Sequence, residues 1–270
     1  MLSVDCAQNA LCDLNPSDVV IMAAAITRTT ENTFQSFLKN IQMAETLISV
    51  LKQKPVAQLI YVSSIDVYGC LEKNFTRRDY KITEESGFHP DDFYGIGKVT
   101  VEFLLQSQLP QDKTVLTILR LPGVYGPGDK GLSLVGAMIH SAIEKGRILI
   151  CGDGRDERDY LYVDDVYRIV GEIIKKKIKM IFHVASGNQY AIRQIAEHIQ
   201  SLCEGKCSFE FTPINSHEEI RIKNMILDNS RMANLLPSLK LTELKQGIAL
   251  YFENYNDERL AKMVHGYSGR

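Results

Sequence analysis

The sequence predicts an α/β fold in which helices cover both faces of a parallel sheet, with a smaller lobe in the C-terminal half. Three observations predict it. Short apolar runs alternate with longer stretches of helical periodicity, the order that strand-helix-strand crossovers produce. The 270 residues are 45% apolar and 24% charged, enough for one sizeable core or two lobes sharing a cleft, which excludes intrinsic disorder. Past Pro122, Gly and Pro cluster as far as Gly131 and the pattern changes, marking the second lobe.

The first strand is DVVIM at 18–22, set off by the turn formers Asn15-Pro16-Ser17 and followed by the small residues Ala23, Ala24 and Ala25. Phe34, Phe37, Leu38, Ile41, Ala44, Ile48 and Leu51 then recur on one helical face. Pro55 stops that helix before a strand at 56–62. A polar stretch, 70–90, has no period, and a helix follows over 91–108 with Asp91 as its N-cap. A β-rich run, TVLTILRL, occupies 114–121. Gly123, Gly126, Gly128 and Gly131 read as turn residues before a helix at 133–145, and a strand at 147–150 meets the turn Gly152-Asp153-Gly154. Val166, Ile169, Val170, Ile173 and Ile174 mark the next helix, ahead of a strand at 181–184 and helices at 191–203, 229–236 and 242–255.

A net charge of -2 gives no global field for a nucleic acid or an anionic membrane, so a small molecule is the expected partner. No apolar run reaches the roughly 18 residues of a membrane span, and no charged leader precedes an apolar stretch, so a cytoplasmic location is expected. Six scattered cysteines without CxxC spacing read as buried reduced thiols. The six histidines show no ligand spacing, so no metal site is proposed. Lys175, Lys176, Lys177 and Lys179 follow a helix end and read as a solvated face suited to the dipole.

The chemistry concentrates in Ser63-Ser64-Ile65-Asp66-Val67-Tyr68-Gly69 at a strand end and Tyr94-Gly95-Ile96-Gly97-Lys98 near a helix start. A tyrosine and a lysine four apart share one helix face, close enough for the ammonium to favour the phenolate. A free phenol, with a pKa near 10, is a poor base at neutral pH, so such a cation is a physical requirement for proton exchange with a carbinol. Ser64 can hydrogen-bond the same oxygen. The bland reading of the pair is a core Tyr with a surface Lys.

Further segments follow in order. Asp18 to Ala25 is a strand closed by alanines, and Arg120-Leu121-Pro122-Gly123-Val124-Tyr125-Gly126-Pro127-Gly128 leads into the second lobe. Arg158-Asp159-Tyr160-Leu161-Tyr162-Val163-Asp164-Asp165 lies within that lobe. Together these residues resemble the extended short-chain dehydrogenase/reductase family, the NAD-dependent epimerase/dehydratase group acting on nucleotide sugars, over nearly the whole chain. The resemblance implies a Rossmann-like sheet, NAD or NADP as cofactor, a nucleotide-diphosphate sugar as substrate, and a homodimer formed through helices at about 33–53 and 91–108. It implies Tyr94 as catalytic acid/base, Lys98 as pKa modulator and nicotinamide-ribose ligand, and Ser64 as orienting hydroxyl. Ala24 and Ala25 would lie against the cofactor, Asp5 would reach adenine, and Arg158 would bind the phosphates with Arg221 as a second ligand. The alternative for Arg158 is a salt bridge with Asp156, Glu157 or Asp159.

Two departures from the family pattern matter. No GxxGxxG occurs, and Val4-Asp5-Cys6 matches the family's third strand end, so the Rossmann sheet is expected to lack its first two strands. In the family's order, 3-2-1-4-5-6-7, that leaves strand 18–22 as an edge and removes the helix N-terminus that holds the pyrophosphate. Residues 1–125 then form a truncated NAD-binding lobe and 126–270 mainly a substrate lobe, with about 180–187 returning to the first sheet; this chain alone is expected to bind NAD weakly or not at all, and to be inactive if so. Family dehydratases and decarboxylases carry Thr and Glu where this chain has Ser64 and Asp66. Asp66 therefore reads as a displaced base on the substrate side or as a cap of the following turn. The expected function is a nucleotide-sugar 4-epimerase or 4-keto reductase. The alternatives are a 4,6-dehydratase using Asp66 and a non-enzymatic, dimerising remnant or regulatory protein.

Overall fold

A computed structural model of the chain describes residues 13–69, 81–110, 112–213 and 226–266, with side chains through 257. Strand β1 (Val19–Met22) leads into helix α1 (Phe34–Gln53), whose start is fixed reciprocally: Thr33 Oγ1 accepts the Ser36 N–H at 3.1 Å and Ser36 Oγ accepts the Thr33 N–H at 3.0 Å. Strand β2 (Gln58–Ser64) runs into a 3-10 turn, Ile65–Tyr68. After β3 (Lys81–Ile82) comes α2 (Phe93–Gln108), capped by Asp92, which accepts the Gly95 N–H at 2.7 Å. Strands β4 (Val115–Leu121) and β5 (Gly123–Tyr125) follow, then α3 (Leu134–Lys145), capped by Ser133.

The chain continues through β6 (Arg147–Cys151), β7 (Glu157–Arg158), β8 (Tyr160–Tyr162), α4 (Val163–Lys176), β9 (Ile181–His183) and β10 (Tyr190–Ala191). It ends with α5 (Ile192–Leu202), β11 (Ser208–Thr212), β12 (Ile226–Leu227), α6 (Ser230–Leu235) and α7 (Leu244–Gly266).

The central sheet is parallel, in the order β1-β2-β4-β9. Alternation along β2 sorts its side chains between two cores. Leu59 and Tyr61 join Leu47, Leu51, Val101 and Leu105 under α1 and α2, while Ile60 joins Ile169, Ile173, Phe182 and Met232 under α4 and α6. Helices therefore cover both faces, as expected. Among the described residues β1 pairs only with β2, and Ile21 on it is exposed. A separate core of Tyr125, Ile139, Ile148, Ile150, Ile195, Ile199, Ile248 and Tyr251 holds α3, α5, α7 and β6 together.

Several sequence expectations shift. The cap of α2 is Asp92 rather than Asp91, because the helix enters one residue later to meet the 3-10 turn. Gly123 sits in β5 paired with Tyr160, not in a turn. The polar stretch at 70–90 contains β3, whose two residues pair with β12 and are too short to show a period. Cys207 is buried and Cys203 half-buried, but Cys151 is exposed, since the two-residue alternation of β6 puts Ile148 and Ile150 inward and Cys151 outward.

Candidate active site

The site forms where the parallel strands end. At the last residue of β2, Ser64 Oγ accepts the Asp66 N–H at 3.1 Å and donates to Asp66 Oδ2 at 2.9 Å, winding the chain into the 3-10 turn. The N-terminus of α2 comes against this turn. A Cβ on Gly95 would lie 2.6 Å from the Asp66 carbonyl oxygen, so only glycine permits the approach that brings Tyr94 beside Ser64.

Tyr94 and Lys98 share a helix face, as their spacing predicts, and together with Ala24, Ala25 and Tyr61 they line a small cavity of about 10 Å³ at the end of β1. The electrostatics differ from expectation. Burial pushes the Tyr94 phenol up to about 12, assisted by Asp66 and opposed by Arg28 and the Ser64 hydroxyl. Burial pulls Lys98 down to about 8, against the pull of Glu102 and Asp66. The ammonium donates to the Val62 carbonyl at 2.6 Å and stands 5.5 Å from the Tyr94 ring centre, so it is held by strand backbone rather than by the phenol oxygen. A buried ammonium takes the nearest strong acceptor, here a carbonyl at the strand end.

A larger pocket of about 450 Å³ opens beside it, between the sheet ends and the second lobe, lined among others by Ser64, Asp66, Gly123, Arg158, Asp159 and Tyr160. Arg158 reaches Asp156 only loosely, at 3.8 Å, and its Nε is buried with no hydrogen-bond partner. Asp159 is not its partner: its two oxygens accept the backbone N–H groups of Ser186 and Gly187 at 3.1 and 2.8 Å, and burial raises it to about 6. Asp5 and Arg221, expected at adenine and phosphate, lie outside the described residues.

Three groups escaped the sequence reading. Arg28, in the loop after β1, donates from Nη1 to Asp66 Oδ1 at 2.5 Å and lines the larger pocket. Its only signal was a cation three residues past the alanines. Glu102 extends the Tyr94-Lys98 face by one more turn, a four-residue spacing that was legible; it accepts Ser63 Oγ at 2.5 Å and pairs with Arg120 through Nη2 and Nε at 2.7 and 3.1 Å. Tyr68 and His183 complete this buried network. Arg120 Nη1 donates to Tyr68 Oη at 2.6 Å, and His183 Nδ1 lies 2.9 Å from the Asp228 carbonyl. That carbonyl can only accept, so Nδ1 carries the proton. Burial lowers the imidazole's pKa, so Nε2 is left to accept the Tyr68 hydroxyl at 2.6 Å.

A parallel doubly wound sheet with a Ser-Tyr-Lys cluster at its carboxyl ends, facing a pocket under a second lobe, defines an α/β protein of Rossmann-like type. The sequence profile of the NAD dependent epimerase/dehydratase family matches residues 2–185, and the chain belongs to that family. A dTDP-D-glucose 4,6-dehydratase of Dictyostelium discoideum is 27% identical over 192 residues, covering 67% of this chain and 44% of that protein. An uncharacterized UDP-glucose epimerase of Bacillus subtilis is 23% identical over 211 residues, covering 77% and 64%. The chain thus spans about half the length of the curated relatives it matches. Among solved structures, the UDP-glucose 4-epimerase of Thermotoga maritima with UDP-glucose superposes with a TM-score of 0.80 at 21% identity, covering 93% of this chain and 81% of that one. The UDP-glucuronic acid 4-epimerase of Bacillus cereus with UDP-glucuronic acid and NAD gives 0.76 at 22%, covering 91% and 76%. At such identities the structural likeness speaks for the fold alone.

Proposed function

We propose that the chain carries the catalytic centre of a nucleotide-sugar 4-epimerase or 4-keto reductase. One observation carries this reading: Ser64, Tyr94 and Lys98 converge at the strand ends, beside a pocket whose wall holds Arg158 with a buried, unpartnered N–H. Ala24, Ala25, Tyr94 and Lys98 frame the place for the nicotinamide end of NAD or NADP, which when bound supplies the hydride acceptor and donor. Tyr94 exchanges the proton of the sugar hydroxyl, Ser64 orients that oxygen, and Lys98 holds the ribose side. Arg158 offers its free N–H to the diphosphate, a planar donor set matched to such an anion.

The test supplies NAD at millimolar concentration with UDP-glucose or dTDP-glucose and follows the sugar by NMR. Inversion or a keto-alcohol exchange at C4 is expected, falling about 10³-fold in Tyr94→Phe. A dehydrated sugar, lost in Asp66→Asn, would instead support the 4,6-dehydratase reading, which Asp66 favours by lining the pocket. No turnover and no sugar-nucleotide binding by calorimetry would leave the non-enzymatic reading.

The outer faces of α1 and α2 expose Phe34, Leu38, Phe93, Ile96 and Phe103 on two packed helices, which supports a homodimer through this face. The free thiols at Cys151, Cys203 and Cys207 suit a reducing, cytoplasmic location. Among the described residues no helix is long and apolar enough to cross a membrane, and no cluster of His, Cys, Asp or Glu could hold a metal ion. Light scattering should report twice the chain mass, and Leu38→Glu with Phe103→Glu should halve it. A monomeric parent chain removes the dimer.

A further inference from the structure

We propose that Arg28 is a positioning residue for the Tyr94 centre: it pins the Asp66 carboxylate against the Ser64 hydroxyl, so that Asp66 anchors Ser64 instead of exchanging protons with the sugar. The proposal rests on the reading of Tyr94 and Ser64 above and deepens it by naming what fixes the Ser64 hydroxyl beside the phenol.

The loop that carries Arg28 is built to hold it still. Asn40, buried on α1, clamps the loop in both directions, its Oδ1 accepting the Ile26 N–H at 2.8 Å and its Nδ2 donating to the Ile26 carbonyl at 3.0 Å. The Thr30 and Glu31 N–H groups both close on the Thr27 carbonyl at 3.0 Å, which makes a tight turn around Arg28. From that turn the guanidinium reaches Asp66, with the arginine side chain 35% and the carboxylate 13% exposed, so the pair stands in the pocket wall rather than on the open surface.

Both carboxylate oxygens are then committed, Oδ1 to Arg28 and Oδ2 to Ser64. Ser64 Oγ spends its single proton on Oδ2 and one lone pair on the Asp66 N–H. A hydroxyl has one donor and two acceptor sites, and the Tyr94 phenol beside it takes the remaining lone pair, so the Arg28-Asp66 pair fixes the hydroxyl that in turn holds the catalytic phenol.

The charges that face Tyr94 are Asp92 at the start of its own helix, Lys98 one turn on, Asp66 from the strand end and Arg28 from the loop, with the Tyr61 phenol beside them. Asp66 opposes the phenolate and Arg28 favours it, so the pair's two charges act on Tyr94 with opposite sign. Removing either one alone unbalances the centre, and removing both restores it.

The test reads Tyr94 directly, by 19F NMR of the full chain labelled with 3-fluorotyrosine, whose more acidic phenol titrates where the fold survives; Tyr94→Phe assigns the signal. Arg28→Met should raise the Tyr94 midpoint by about one pH unit and Asp66→Asn should lower it by a similar amount. Arg28→Lys should recover most of the shift, and the double variant should titrate near the parent. Midpoints that move by less than about 0.2 unit in both single variants overturn the proposal, as does a failure of Arg28→Lys to recover the shift. The readout needs neither cofactor nor turnover, so it can fail while the enzymatic reading stands, and can hold if no nucleotide sugar is turned over.

Discussion

Glu102→Ala is expected to lower the stability of the fold by about 3–5 kcal/mol, read as a fall in urea midpoint at unchanged slope. The carboxylate is wholly buried and meets the Arg120 guanidinium through two hydrogen bonds, with Ser63 Oγ on the same oxygen as Arg120 Nε. Deleting it strands a buried guanidinium, whose other hydrogen bonds, to Tyr68 Oη and the Glu84 carbonyl, do not neutralise charge. Loss of one partner is what makes this expensive, since desolvation of both ions was already largely offset by their attraction. Glu102→Leu combined with Arg120→Met should therefore recover at least half of the loss. A single variant within about 1 kcal/mol of the parent would show that the pair contributes nothing to the fold.

Lys98→Met has the opposite sign. The unfolded lysine titrates at 10.5 and the folded one at about 8, chiefly through burial. Between those values the folded chain binds fewer protons than the unfolded one, so stability rises with pH across the window. Below pH 8 both states are charged and the full penalty, about 3 kcal/mol, stands. Methionine keeps the length of the stem and removes the buried charge, so at pH 7 the variant should melt several degrees higher than the parent. The advantage should shrink from pH 8 upward and vanish above about 10.5. A variant less stable than the parent at pH 7 would mean that the Val62 carbonyl contact outweighs the desolvation. The two results together describe α2: Glu102 is expected to stabilise the fold, and Lys98, one turn earlier, to weaken it through the burial of its charge.

Residues close in sequence were the legible part. Tyr94 and Lys98 fall on one face because a helix repeats every 3.6 residues, and Ser64 falls at a strand end because the apolar run of β2 stops there. The succession of strands and helices along the chain and the helix start at Ser133 follow from such local patterning. The boundary at Asp91 or Asp92 did not, since either aspartate can cap and only the contact with the 3-10 turn chooses between them. What Lys98 binds did not either: its spacing names a face but not the acceptor nearest to it.

The composition and periodicity of this chain settle that it folds as helices around a parallel sheet, and its motif order carries the family. The partners of its charged groups belong to the tertiary structure. Arg28 meets Asp66 across 38 positions and Tyr68 meets His183 across 115, while Arg120 faces Ser63 only because β2 and β4 pair in that register. Local pattern says which side of an element a residue occupies, and burial makes that pattern obligatory. Which charge it meets there depends on how separate elements are laid side by side, and no periodicity within one element encodes that.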